Sequence, residues 1–69
     1  MSKKVIKAGE YSLHIVNSIG GVIIVKVFSR DTKEQLDNSI FTDVGEQLAD
    51  YLGKYTKKVE PILNYLNEN

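Results

Sequence analysis

The sequence predicts an α+β domain: a three- or four-stranded antiparallel sheet followed by one long C-terminal amphipathic helix. Three observations carry that expectation. Up to about Phe41 the apolar residues alternate or run in short β-branched blocks, from Val44 onward they recur at spacings of three and four, and Gly20-Gly21 separates two alternating runs. The chain has no internal repeat, low-complexity tract or linker, so its 69 residues read as a single domain.

Val5 to Ala8 reads as an edge strand, with Lys3, Lys4 and Lys7 around it discouraging edge-to-edge aggregation. Glu10 to Ser18 and Val22 to Arg30 form the central hairpin. Tyr11, Leu13 and Ile15 share one face of its first strand, and Ile23, Val25 and Val27 share one face of its second. The two sets meet on one side of the sheet only if paired residue numbers have an even sum. A three-residue loop through Ile19, Gly20 and Gly21 satisfies this by pairing Ser18 with Val22, with Gly21 in the left-handed position. A two-residue Gly20-Gly21 loop puts Lys26 opposite Ile15 and buries its charge. The three-residue register also sets Glu10 opposite Arg30, a favourable cross-strand charge pair.

In that register the outer face carries Ser12, His14, Val16, Val22, Ile24, Lys26, Phe28 and Arg30. Half of these are apolar, whereas a solvated face of an antiparallel sheet alternates cleanly. The face is therefore a candidate contact surface, or else it is covered by another part of the same chain. Asp31-Thr32-Lys33-Glu34 has turn composition, and Gln35 to Phe41 returns as a short third or fourth strand, interrupted by Asp37 and Asn38.

The helix is marked at its start by Asp43 and Glu46, a capping box. Val44, Leu48, Tyr51, Leu52, Tyr55, Val59, Ile62, Leu63 and Leu66 then form one stripe about 120° wide. Pro61 removes a backbone hydrogen bond and clashes with the carbonyl of Lys57, so the helix kinks there or a second short helix begins. Unbroken from Val44 to Leu66 it reaches roughly 34 Å, against about 26 Å for an eight-residue strand. That overhang offers Ile62, Leu63, Tyr65 and Leu66 as oligomer contacts unless the chain folds back at Pro61. Gly45, Ala49 and Gly53 form a second stripe of small residues, suited to a partner helix or to close approach on the chain's own sheet.

Nine basic and nine acidic residues give a net charge of zero, so no global field draws the protein to nucleic acid or to anionic membrane. The lysine-rich start is not followed by a long apolar segment, and the expectation is a cytoplasmic protein without signal peptide or membrane span. Eight of the nine basic residues are Lys, compatible with an AT-rich coding genome such as that of a low-GC bacterium or its phage.

Zero Cys excludes disulfides and a thiol nucleophile, and a single His leaves no second imidazole for a relay or a zinc site. A chain this short with neither staple points to a second copy of itself or another partner to complete its burial. His14 reads as a surface polar residue opposite Lys26. The carboxylates are scattered without a convergent pair, and Gly20-Gly21 is a hairpin signal, since no helix follows it as a phosphate loop requires. The expectation is no enzyme, no cofactor and no metal.

Phe28 between Lys26 and Arg30, with His14 across the sheet, sets an aromatic among cations, the minimum for base stacking with backbone neutralisation. The order of hairpin, short strand and helix, carried by Tyr11 to Ile15, Gly21 to Val27, Ser39-Ile40-Phe41-Thr42 and Glu46 to Leu66, resembles the positive-cofactor-four type of single-stranded DNA-binding domain. That resemblance implies a homodimer that binds DNA along its sheets. The family's basic loop before the helix is replaced here by the net acidic stretch Asp31 to Asn38, so only Lys26, Phe28 and Arg30 carry over.

Two functions are therefore expected. The first is a stand-alone, non-catalytic homodimeric binding protein that modulates a macromolecular partner, a protein ahead of a nucleic acid, as inhibitor or regulator of the kind small phage genes encode. The second is single-stranded nucleic-acid binding. Both use an outer face on which His14, Ile24, Lys26, Phe28 and Arg30 make contact.

Overall fold

The structure is a computed structural model that describes residues 2–18 and 20–68. Strands β1 (Ser2–Ala8), β2 (Tyr11–Asn17), β3 (Ile23–Ser29) and β4 (Gln35–Phe41) form one antiparallel sheet in the order β1-β2-β3-β4, followed by α1 (Glu46–Gly53) and α2 (Val59–Glu68). The α+β class is as expected and the single long helix is not.

The hairpin register is the even-sum one, with Leu13 opposite Val27, His14 opposite Lys26 and Ile15 opposite Val25. Ser18 extends it: its backbone N–H donates to the Val22 carbonyl at 2.9 Å and its hydroxyl to the same oxygen at 3.1 Å. Gly20 and Gly21 both take positive φ, +92° and +81°, while Ile19, expected in the loop, lies outside the described residues. At the far end Arg30 N–H donates to the Glu10 carbonyl at 2.9 Å. The Arg30 side chain, expected to pair with Glu10, instead donates through Nη1 to the Gly9 carbonyl at 2.9 Å, tying the end of β3 to the β1–β2 turn. Gly9, at φ +59°, supplies the left-handed residue that this two-residue turn requires in its first central position.

β1 spans all seven residues from Ser2, and alternation assigns its lysines to different faces: Lys3 opposite Val16 and Lys7 opposite Ser12 on one, Lys4 opposite Ile15 on the other. Lys4 Nζ sits 4.7 Å from the centroid of the Tyr65 ring on α2.

The inner face of the sheet supplies Leu13, Ile15, Ile23, Val25 and Val27 to the core, and the helices close it with Leu48, Leu52, Ile62 and Leu66. All nine are at most 3% exposed. Ile62 and Leu66 thus belong to the chain's own core, with Leu63 and Tyr65 packed against it, and the overhang expected to make these four residues oligomer contacts does not arise. The chain folds back across residues 54–58 and not at Pro61. Lys54 N–H turns back to the Tyr51 carbonyl at 3.2 Å, and buried Thr56 accepts the Lys58 N–H on its hydroxyl at 3.0 Å. That local bond competes with a continuing helix. Pro61 falls third in α2, inside the first turn whose N–H groups have no helical acceptor, so it costs nothing there.

α1 begins later than the capping box implies. Its N-cap is Gly45, no side chain caps it, and Glu46 is the first helical residue, where its charge meets the positive end of the helix. The small-residue stripe makes no close approach. A Cβ on Gly53 meets nothing within 4 Å, and one on Gly45 meets only the Asp43 carboxylate at ordinary contact distance.

Candidate functional site

Both helices lie against the inner face, so the outer face of the sheet is uncovered among the described residues. Lys26 demonstrates this: it is the middle residue of an interior strand, and its side chain is exposed. The pairing registers arrange that face as three rows running across the sheet: Lys3, Val16, Ile24, Ile40; then Val5, His14, Lys26, Asn38; then Lys7, Ser12, Phe28, Gln35. A bulge between Val27 and Phe28 leaves Leu36 as an extra residue beside the last row.

The first row is apolar over three strands, ending in Ile40, which is 65% exposed. The third row is different. His14 and Phe28, diagonal neighbours on β2 and β3, stack with ring centroids 4.5 Å apart and planes tilted by 52°. They form the floor of a cleft of about 390 Å³ walled by Lys7, Arg30 and Lys33 with Ser12 and Ser29. Among the described residues no carboxylate lines it. Lys33 is held there by a turn in which it adopts φ +68° and donates its N–H to the Ser29 carbonyl at 3.0 Å.

The electrostatics follow from this placement. Burial first, and then the nearby Lys3 and Lys26 ammonium groups, lower the His14 pKa below its ordinary 6.5. The ring is therefore neutral at physiological pH and can stack without adding to the like-charge repulsion. The net charge of zero conceals a segregation. Lys3, Lys7 and Lys26 lie in the rows of the outer face and no acid does, while Asp37 faces inward and the helical half carries Asp43, Glu46, Asp50, Glu60 and Glu68 together with Lys54, Lys57 and Lys58. Glu10, Asp31 and Glu34 sit in turns.

Such an arrangement offers stacking to a flat ring and ammonium and guanidinium groups to an anion. Among the described residues no three His, Asp or Glu side chains are grouped to hold a metal ion, and no helix is long and apolar enough to cross a membrane.

Of the five residues expected on this face, His14, Phe28 and Arg30 come together in the cleft. Lys26 stands opposite His14 in the second row, beside the cleft. Ile24 lies apart, between Val16 and Ile40 in the apolar row. Lys3, Lys7 and Lys33 were not anticipated as site residues. The signal for the first two is alternation along β1, which sends Lys3 and Lys7 to the His14 face; Lys33 depends on turn geometry that composition does not specify.

No protein-family model, no curated protein and no solved structure matches the chain.

Proposed function

We propose that this is a non-catalytic binding protein whose outer sheet face holds single-stranded nucleic acid. The observation that carries the reading is the His14–Phe28 stack at 4.5 Å on the floor of a cleft walled by Lys7, Arg30 and Lys33 and free of carboxylates. An unpaired base stacks on the Phe28 ring, and its flanking phosphates meet Lys7, Lys26, Arg30 and Lys33. Because every base has a π-face, the binding is tolerant of sequence. A protein partner suits the apolar row better than the charged cleft, since charged residues are depleted at the core of protein interfaces.

Fluorescence anisotropy with a labelled single-stranded oligonucleotide tests the reading. Submicromolar affinity is expected at low salt, falling as salt rises because phosphate contacts release counterions. Phe28→Ala should weaken it roughly tenfold or more, the loss of one stacked base being about 1–3 kcal/mol. Binding that is absent, or unaffected by both salt and Phe28→Ala, overturns it.

Self-association is a second reading, now supported by the β4 edge. Leu36 and Ile40 are 51% and 65% exposed, and β4 pairs only with β3. β4 carries no Lys or Arg, whereas the opposite edge, β1, carries three lysines. An antiparallel β4–β4 pair between two copies continues the sheet and doubles the binding face. Sedimentation velocity should give a dimer for the native chain and a monomer for Ile40→Lys; a monomer throughout removes this reading.

A further inference from the structure

The outer face is not the end of the cationic surface. A second cleft, of about 640 Å³, opens between the β1–β2 turn and the segment that joins α1 to α2. Lys7 contributes to it from β1, Lys54 from the end of α1, and Lys57 and Lys58 from the connection; Glu10 is its one carboxylate. Tyr11 and Tyr55 supply aromatic wall, packed edge to face with centroids 5.0 Å apart. The Tyr55 hydroxyl is already committed, donating to Asp37 Oδ2 at 2.8 Å, so Tyr55 offers a ring and not a donor. Lys57 and Lys58 are exposed, and Gly9 and Gly53 also line the cleft, with nothing within 4 Å of the position a Cβ would take on either.

Lys7 lines both clefts. The two cationic hollows therefore meet at one residue of the edge strand. The Lys54 ammonium lies over the Tyr51 ring, 5.7 Å from its centroid, which leaves Lys57 and Lys58 as the outward cations. We propose that a single-stranded nucleic acid continues from the sheet around the β1 edge at Lys7, and that Lys57 and Lys58 bind its phosphodiesters in this second cleft. The inference rests on the reading of the outer face for the identity of the occupant. Charge supports a polyanion in either hollow, and the aromatic walls in both favour one that carries rings over an acidic peptide. A path of this kind lengthens the binding site beyond what one face of a small sheet can hold.

Anisotropy with an oligothymidylate of about twelve nucleotides, within the span usual for small single-strand binders, compares the native chain with Lys57→Ala/Lys58→Ala. The double variant changes only exposed side chains. It should bind about tenfold more weakly, and the slope of log affinity against log salt should fall by about 1.4, the value for two lost contacts to a single strand. An unchanged affinity and slope in a chain that binds the oligomer overturns the second cleft and leaves the outer face standing. Competition by a polyglutamate peptide as strong as by unlabelled oligomer overturns the nucleic acid as occupant. If the native chain binds no oligomer, titration with inorganic tripolyphosphate monitored by NMR tests the cleft alone. Shifts of the Gly53, Lys57 and Lys58 amides that vanish in the double variant support an anion site there, and their absence overturns it.

Discussion

Tyr55, in the segment between the helices, donates its hydroxyl to Asp37 Oδ2 on β4 at 2.8 Å, a bond that ties the helical layer to an edge strand. It anchors an aromatic file, Tyr11–Tyr55–Tyr51–Phe41, with successive centroids 5.0, 5.6 and 5.5 Å apart. The Tyr51 hydroxyl is buried beside the same carboxylate. Burial first, and then Asp37, push its pKa well above the ordinary tyrosine range.

The Asp37 carboxyl is held below its ordinary 3.8, first by the Tyr55 hydroxyl, then by Tyr51 and by the Asn38 N–H. A depressed carboxyl pKa stabilises the fold above the unfolded value, and that stability is lost as pH falls through the folded value. Tyr55→Phe should therefore lower Tm by a few degrees near neutrality. The difference from the native chain should shrink as pH is taken from about 6 to about 3. Thermal melts monitored by circular dichroism at each pH measure both. A difference that persists undiminished in acid contradicts the assignment.

Leu66 is 3% exposed and lies in the core. Leu66→Ala should destabilise by about 2–4 kcal/mol, a transfer and cavity cost, without changing the association state of the folded fraction. Urea unfolding paired with sedimentation distinguishes this from a role at an oligomer contact, which predicts dissociation at little cost to the protomer.

Pro61→Ala should change stability by less than about 1 kcal/mol, since the position has no acceptor for the restored N–H. Leu63→Pro, two residues further into α2 and past its first four N–H groups, should cost about 3 kcal/mol or more. Equal effects of the two in denaturant unfolding contradict the placement of the helix break before Pro61.

The hairpin and its register were legible in the sequence because parity leaves no choice: a one-residue slip of β3 buries Lys26 and exposes Val25 and Val27. The strand role of Gln35 to Phe41 was legible too, although Asp37, which interrupts its apolar pattern, points inward to a tyrosine. The break between the helices was not. Tyr51, Leu52, Tyr55, Val59 and Ile62 keep helical spacing straight through residues 54–58, so periodicity runs on where the backbone does not. The break is written in the backbone, where Lys54 N–H turns to the Tyr51 carbonyl and Tyr55 N–H to that of Leu52, and in the Thr56 hydroxyl that takes the Lys58 N–H, choices that composition leaves open. The binding face was half legible: His14, Lys26, Phe28 and Arg30 follow from the hairpin and Lys7 from alternation along β1, while Lys33 enters through a turn in which it takes φ +68°.

His14 supplies a pH signature. Its pKa is lowered by burial and by Lys3 and Lys26, so protonation opposes folding, and this contribution to stability is present above about 6.5 and lost as pH falls. Phosphates placed beside the ring favour its protonated form. Affinity for a single-stranded oligonucleotide should accordingly tighten as pH drops from about 8 to about 6, by up to about tenfold. His14→Gln should flatten that dependence in anisotropy titrations. A dependence that survives the substitution assigns the titrating group elsewhere.

Uptake of the strand on the sheet's outer face is visible residue by residue in the backbone amides. Isotope-labelled protein is titrated with an unlabelled single-stranded oligonucleotide and followed by heteronuclear NMR. The amides of Ser12, His14, Lys26 and Phe28 should shift together in one saturable transition, while those of Leu48 and Leu66, on the far side of the core, should stay in place. Shifts confined to the helices, or none at saturating oligonucleotide, contradict the claim.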